Sequence, residues 1–427
     1  MNSISGARRV RFCRTCGSDD WQDVVSLGTM PLANGYLDPA DCHDEPGYPL
    51  EVVTCRNCRL MSLTYVVDPT ILYRNYLYVT PDSATITRHM CHVADLCRQQ
   101  VPLRPNDLVV EVGSNTGAQL RLFRDFGVRT LGIDPARNLA AIAGGNGIET
   151  LPEFFTVDTA RAVAESYGPA RLILGRHVFA HIDDLTAVAS AVSALLAHDG
   201  AFVIEIPYVV DLIERVAFDT IYHEHLSYFS VQTIKSFFER HGLRVYDVRR
   251  MPVHGGSILV FCGLIKSGWQ VRPSVAELLD LERRIGLDDE ATYVRFARKV
   301  ERIGEELRGL VQGLAADGRT VAGYGAPAKG NTILNYCGLG PGDVSFCSDT
   351  ISLKQGKLLP GTHIPVISPE QARAAQPDYY LLLAWNYAEE ILAKESSFVA
   401  DGGRFILPVP RPAVISTGAE LPWSTPI

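Results

Sequence analysis

Short apolar runs alternate with helix-periodic stretches along most of this chain from Asn106 onward. Leu108–Val112 opens the series as an apolar run broken only by Glu111, and residues 119–126 carry the 3.6-residue period of a helix. A second run at 130–133 ends in Asp134. Further strands are expected at 171–175 and 201–206, separated by a helical stretch at 185–198, with a late strand at 256–264. Such alternation predicts a doubly wound α/β sheet. Ahead of it, 65–97 reads as helical and holds Tyr73, Tyr76 and Tyr78 close together. Behind it, 274–317 is charged and helix-periodic, which predicts a connecting helical pair. A second α/β unit follows, with a strand at 320–324, a glycine loop at 325–330 and a helix from Asn331. Its later strands, 344–347 and 379–383, lead to Asp349 and Trp385. This unit reads as a degenerate echo of the first.

The chain's 427 residues call for two or three domains, and 47% hydrophobic with 21% charged residues supplies a sizeable core. Lys and Arg total 40 against 48 Asp and Glu, a net charge of −8 that argues against a nucleic-acid partner. No apolar run reaches the roughly 20 residues that span a bilayer, and the N-terminal residues lack the apolar segment of a signal peptide. A cytoplasmic protein without membrane contact is expected. In that compartment the ten cysteines read as thiols or metal ligands.

Four of them form two pairs, Cys13-Arg-Thr-Cys16 and Cys55-Arg-Asn-Cys58. Each Cys-x-x-Cys aims two thiolates at one point, so two such knuckles complete a closed, tetrahedral, structural zinc site. The 38 residues between the pairs predict a small subdomain around the metal. Cys42 and His43 lie between the knuckles and are alternative ligands.

The segment Glu111-Val-Gly-Ser-Asn-Thr-Gly117 places a glycine turn directly after a strand. Gly113 allows the sharp turn, and Gly117 allows the next helix to begin close to a ligand. Asn115 sits between them. Asp134, after the second strand, is where a carboxylate accepts ribose hydroxyls. Glycines four apart differ from the Gly-x-Gly-x-x-Gly of dinucleotide folds, and an adenosine without pyrophosphate fits better. That favours S-adenosylmethionine over NAD as cofactor. His177 and His181 follow the strand expected beside the cofactor and, four apart, would share a helix face. They line the cofactor or pack, with a metal pair as the alternative. Residues 222–228 then crowd His223, Glu224 and His225 between Tyr222 and Tyr228, an acid/base cluster suited to proton transfer.

Together these motifs resemble the S-adenosylmethionine-dependent sugar C-methyltransferases of deoxysugar biosynthesis. The resemblance rests on both knuckles, Tyr76-Leu-Tyr-Val-Thr80, Glu111–Gly117, Tyr222-His-Glu-His225, His254-Gly-Gly-Ser257 and Gly323-Tyr-Gly-Ala-Pro-Ala-Lys-Gly-Asn331, in the family's order and over nearly the whole chain. Thr116 stands where the family more often has Asp. The resemblance implies an α/β protein in three parts. These are a zinc-binding domain (1–66), a central doubly wound class I methyltransferase domain (67–265), and linker helices with a C-terminal Rossmann-like α/β domain (266–427).

The family methylates a carbon beside the ketone of nucleotide-linked, usually dTDP-linked, 4-keto-deoxyhexoses, and C-3 is expected here over C-5. A base must remove a proton from that carbon, and donors must hold the enolate oxygen. By resemblance His225 is the base, Glu224 orients it, and Tyr222 and Tyr76 are the donors; His223 is the alternative base. The C-terminal glycine loop and Lys329 are expected at the pyrophosphate, with Lys354 and Lys357 as further cations. His254, Ser257, Asn331, Asp349 and Trp385 complete the expected substrate contacts. NAD binding at that second loop, a zinc-containing RNA or protein methyltransferase, and a zinc-dependent scaffold are the competing readings. A monomer and a homodimer fit equally.

Overall fold

Leu108–Val112, buried at all five positions, lies inside a seven-stranded sheet, where apolar residues are needed on both faces. The computed structural model describes residues 5–40, 45–73, 79–80, 83–415 and 421. By its internal contacts the chain divides into two units, one of residues 1–23, 53–210 and 224–290, the other of 24–52, 211–223 and 291–427.

In the first unit the sheet runs Leu243–Met251, Ser257–Leu264, Leu196–Pro207, Ala170–Arg176, Leu108–Val112, Arg129–Ile133, Thr150–Leu151. Counted along the chain from Leu108, that order is 3-2-1-4-5-7-6, with the seventh strand antiparallel to both neighbours. The order reverses between Leu108–Val112 and Ala170–Arg176, and ligands of doubly wound sheets bind at the strand ends beside such a switch point. The helix Ala84–Gln100 starts at Ser83, whose side chain accepts from the Ile86 amide, and buries Ile86, His89, Met90, Val93, Ala94 and Cys97 along one stripe. Leu185–Leu195 is capped by Asp184 and Val231–Arg240 by Ser230 in the same way.

Residues 65–97 are not the continuous helix expected from the sequence. Tyr65–Val67 is a strand paired with Ala7–Arg9, and short helix Pro69–Tyr73 precedes Ala84–Gln100. The expected helical pair is present as Pro273–Ile285 and Glu290–Ala316, divided at Gly286, whose φ of 79° is a glycine-favouring left-handed turn. Both cysteine knuckles flank a small sheet of order Ser227–Tyr228, Met61–Leu63, Tyr48–Cys55, Trp21–Met30.

The second unit carries a six-stranded sheet, Val366–Ile367, Cys347–Ser348, Val321–Tyr324, Tyr379–Leu382, Arg404–Leu407, Ala413–Ile415, parallel except for the last strand. From Val321 its parallel strands stand in the order 3-2-1-4-5, as in the first unit. Its glycine loop is shorter than expected, because the following helix already begins at Ala328. No helix among the described residues is long and apolar enough to cross a membrane.

Candidate active site and zinc centre

The knuckles fold alike. The amide of Gly17 donates to the Cys13 carbonyl (2.9 Å) and that of Arg59 to the Cys55 carbonyl (2.8 Å), with positive φ at both (75° and 63°). Sγ of Cys13 lies 3.5 Å from that of Cys58, as does Cys16 from Cys55, and all four sulfurs fall within 4.8 Å of one another. A tetrahedron with zinc–sulfur bonds of about 2.3 Å has edges near 3.8 Å, so the four thiols fit zinc with no coordination position left for substrate. Cys42 and His43 lie outside the described residues.

At the switch point, Gly113 follows the first strand with φ 67°, and a Cβ there would come within 2.9 Å of Val178. Gly117 has φ 74°, and its Cβ would meet Ile148 at 2.8 Å. Both positions therefore demand glycine for backbone and packing, and closeness to a ligand is not the only reason for Gly117. Asn115 holds φ 50°; its amide donates to Asp134 (2.8 Å), and its side-chain oxygen accepts from the amides of Thr80 (3.1 Å) and Thr116 (3.0 Å). The other Asp134 oxygen accepts from the Ala136 amide (2.9 Å), and each oxygen keeps a lone pair for a ribose hydroxyl. Glu111 is buried, and its Oε2 has no hydrogen-bond partner among the described residues. Burial pushes its carboxyl up to about 8 against the pull of Arg176, with Asp134 adding to the rise. An unpaired buried acceptor beside a carboxylate-bearing turn fits a cationic cofactor such as S-adenosylmethionine.

Val178, packed against Gly113, belongs to the segment that follows the fourth strand. Its neighbours do not share a helix face as expected. His177 has φ 54° and stands before a single 3-10 turn, Phe179–His181. The His177 ring meets His254 edge-on at 4.5 Å, and its Nε2 is 3.4 Å from Glu205 Oε2. Glu205, fully buried, also accepts from Arg176 Nε (3.0 Å) and contacts His89 Nε2 (2.6 Å). Burial would raise its carboxyl, but His177, His89 and Arg176 hold it well below the usual range. Nothing in the motifs singled out His89, Arg176 or Glu205; the one available signal was an acid inside the apolar run 201–206.

His181 stacks with Tyr73 (6.1 Å, 13°) and lies 5.0 Å from the His225 ring. Burial, with the nearby His177, lowers His181 to about 3, so its ring is neutral. The Tyr73 hydroxyl is kept protonated by burial and by the charge of Glu224. Tyr73 has no place in the motifs that mark the site in the sequence, and Tyr76 lies outside the described residues. Glu224 and His225 are buried. His223 is turned elsewhere: its Nε2–H donates to the Tyr48 carbonyl (3.1 Å), and burial lowers it to about 4.

Several expected substrate contacts are occupied by the fold itself. Ser257 is fully buried and donates to the Val253 carbonyl (3.1 Å). Lys329 Nζ lies 3.5 Å from Asp219 Oδ2, 3.5 Å from Asn386 Oδ1 and 4.1 Å above the Trp385 ring, whose Nε1 donates to Asp219 (2.5 Å). Asn331 is buried and donates to the Ala33 carbonyl (2.6 Å). Asp349 accepts from the amides of Ala326 and Ile351 and pairs with buried Lys354, while Lys357 pairs with exposed Asp38. His254, at φ 55°, remains at the strand ends of the first unit beside His177.

Three protein-family profiles match the chain. They are "Putative zinc binding domain" at residues 13–73, "Methyltransferase domain" at 86–248 and "C-methyltransferase C-terminal domain" at 252–410. The C-methyltransferase NovU of Streptomyces niveus is 52% identical over 415 residues, 97% of this chain and 99% of that one. Two solved structures show only a weak likeness that carries no functional weight. An S-adenosylmethionine-dependent methyltransferase from Anabaena variabilis is 15% identical over 42% of this chain and 85% of that one (TM-score 0.34). The PH0226 protein from Pyrococcus horikoshii is 12% identical over 46% and 98% (TM-score 0.36). With a four-cysteine zinc centre, a glycine turn at the switch point and this relative matching over 97% of its length, the chain belongs to the family its motifs resemble, the S-adenosylmethionine-dependent C-methyltransferases with a zinc-binding domain and a C-terminal domain of their own.

Proposed function

We propose that this enzyme, in three domains divided near residues 66 and 265, methylates C-3 of a dTDP-linked 4-keto-deoxyhexose in the cytoplasm, in the service of deoxysugar biosynthesis. The observation that carries the reading is a run of packed contacts in the first unit. Val178 sits against the cofactor turn at Gly113, His181 is three residues on, and the His225 ring is 5.0 Å from His181. That run supports His225 as a base close to the turn proposed to receive the cofactor.

Carbon becomes a nucleophile only after a neighbouring ketone has acidified its hydrogen. His225 takes that proton onto its imidazole, Glu224 orients the ring, and Tyr222 with Tyr76 donates to the enolate oxygen. Tyr73, protonated beside His181, joins them as a donor. S-adenosylmethionine supplies an electrophilic methyl group on a sulfonium. Glu111 and Asp134 hold its charged and ribose ends, and His177 and His254 line the strand ends next to it. His223, neutral and committed to the Tyr48 carbonyl, is left as a structural residue.

The test is the fate of a labelled methyl group. Purified enzyme is incubated with ¹³C-methyl S-adenosylmethionine and a dTDP-4-keto-6-deoxyhexose, and the product is read by NMR. Label on C-3 supports the reading and label on C-5 moves the position. Label on oxygen, or none across several such sugars, overturns it.

A further inference from the structure

Arg14 lies inside the first zinc knuckle, between Cys13 and Cys16, yet its side chain faces away from the thiols and is only 3% exposed. Its Nε donates to Asp183 Oδ1 at 2.9 Å, and its Nη1 donates to the Leu226 carbonyl at 3.1 Å and to Ser62. Asp183 stands two residues after His181, and Leu226 directly follows His225. One guanidinium therefore grips both segments that carry the paired rings. The segments are also joined to each other, because the Leu226 amide donates to the Ala180 carbonyl (2.9 Å). The Leu226 carbonyl accepts from the Leu63 amide (3.0 Å) as well, so the same carbonyl is anchored twice.

Two more bonds run from the knuckles to the helix after this loop. Arg240 donates to the Thr15 carbonyl (2.7 Å), and the Thr233 hydroxyl donates to the Cys58 carbonyl (2.9 Å). The zinc module and the loop with His225 are thus joined through short, partly buried, directional contacts.

We propose that Arg14 is a positioning residue for the methyl-transfer site, and that it transmits the rigidity of the zinc centre to His181 and His225. The planar fork suits this task, because it holds a carboxylate and a carbonyl in fixed directions at once. Lysine offers a single point charge and cannot do both. The metal then has a function beyond folding the N-terminal region: it fixes the anchor from which Arg14 reaches.

The test uses the full-length enzyme and the variants Arg14→Lys, Arg14→Met and Asp183→Asn. It rests on the reading given under Proposed function only for its turnover arm. Zinc content and S-adenosylmethionine affinity are measured first, and both are expected to stay within about threefold of the parent, since neither the thiols nor the cofactor turn is touched. Amide exchange of residues 178–184 and 224–228 is then followed by mass spectrometry, with no substrate present. Exchange is expected to quicken about tenfold or more in both segments, equally in Arg14→Met and Asp183→Asn. Chelating zinc from the parent enzyme is expected to quicken the same segments, and to add little in Arg14→Met. The kcat for sugar methylation is expected to fall about thirtyfold or more with KM little changed. Unchanged exchange in both segments would overturn the proposal. So would loss of zinc in proportion to lost activity, since Arg14 would then merely support the knuckle. If the parent enzyme methylates no dTDP-ketosugar, the substrate reading has failed, and the exchange measurement still decides the role of Arg14.

Discussion

The imidazole rings of His181 and His225 lie 5.0 Å apart, centroid to centroid, with their planes inclined by 41°. His181 is neutral, and its Nε2 has no hydrogen-bond partner among the described residues. A neutral ring puts no positive charge beside His225, the proposed base. His225→Asn is therefore expected to lower kcat about 10²- to 10⁴-fold while S-adenosylmethionine affinity stays near that of the parent. His223→Gln retains a donor for Tyr48 and is expected to keep turnover within about threefold. Steady-state kinetics on both variants separates the two histidines, and a reversed pattern would make His223 the base.

The same burial makes stability depend on pH. His181 at about 3 and His223 at about 4 stay neutral in the folded enzyme, whereas in the unfolded chain both protonate below about 6.5. The unfolded state then binds more protons, so stability is full above about 6.5 and falls as pH drops toward 4. Melting temperatures measured from pH 7.5 to 5 should decline, and His223→Gln should make the decline shallower. An identical slope in the variant would contradict this assignment.

Glu111 gives a second pH signature. In the free enzyme its carboxyl is held at about 8, so it is mostly protonated at neutral pH. A cationic cofactor next to Oε2 stabilises the carboxylate and drives the proton off. Binding of S-adenosylmethionine at pH 7 should release about one proton, and affinity should rise with pH before levelling above about 8. Titration calorimetry in two buffers of different ionisation enthalpy measures the release. Glu111→Gln should abolish it, and no release in the parent would exclude contact between Glu111 and the cofactor's charge.

The motif containing Lys329 suggested a phosphate contact, but its side chain is only 12% exposed and its ammonium is shared by Asp219, Asn386 and the face of Trp385. Lys329→Met should leave dTDP affinity within about threefold and destabilise the fold by about 3 kcal/mol or more, because fully buried Asp219 loses its counter-charge. Adding Asp219→Asn should recover part of that loss. A roughly tenfold weakening of dTDP binding in Lys329→Met would return the ammonium to the phosphate.

What the sequence disclosed follows from how local each signal is. Leu108–Val112 and Ala170–Arg176 were legible because central parallel strands are apolar on both faces. The zinc ligands were legible because each pair is four residues long and chemically unambiguous. The strand Leu243–Met251 was missed; it is an edge strand carrying Arg244, Asp247, Arg249 and Arg250, and polar residues there hide the period. Tyr65–Val67 was read as helix because its pairing with Ala7–Arg9 is remote in sequence. Glu205 with His89, and Arg14 with Leu226, join residues 116 and 212 positions apart, which no local pattern records.

The measurement that bears most directly on the central claim is solvent exchange at carbon without methyl transfer. A dTDP-4-keto-6-deoxyhexose is incubated with the enzyme in D₂O, with S-adenosylmethionine left out, and the carbons beside the ketone are read by NMR. Deuterium entering at C-3 with the parent enzyme, and not with His225→Asn, is the result predicted for an enolate formed by that base. No enzyme-dependent exchange at either carbon, together with continued methylation once the cofactor is supplied, would contradict it.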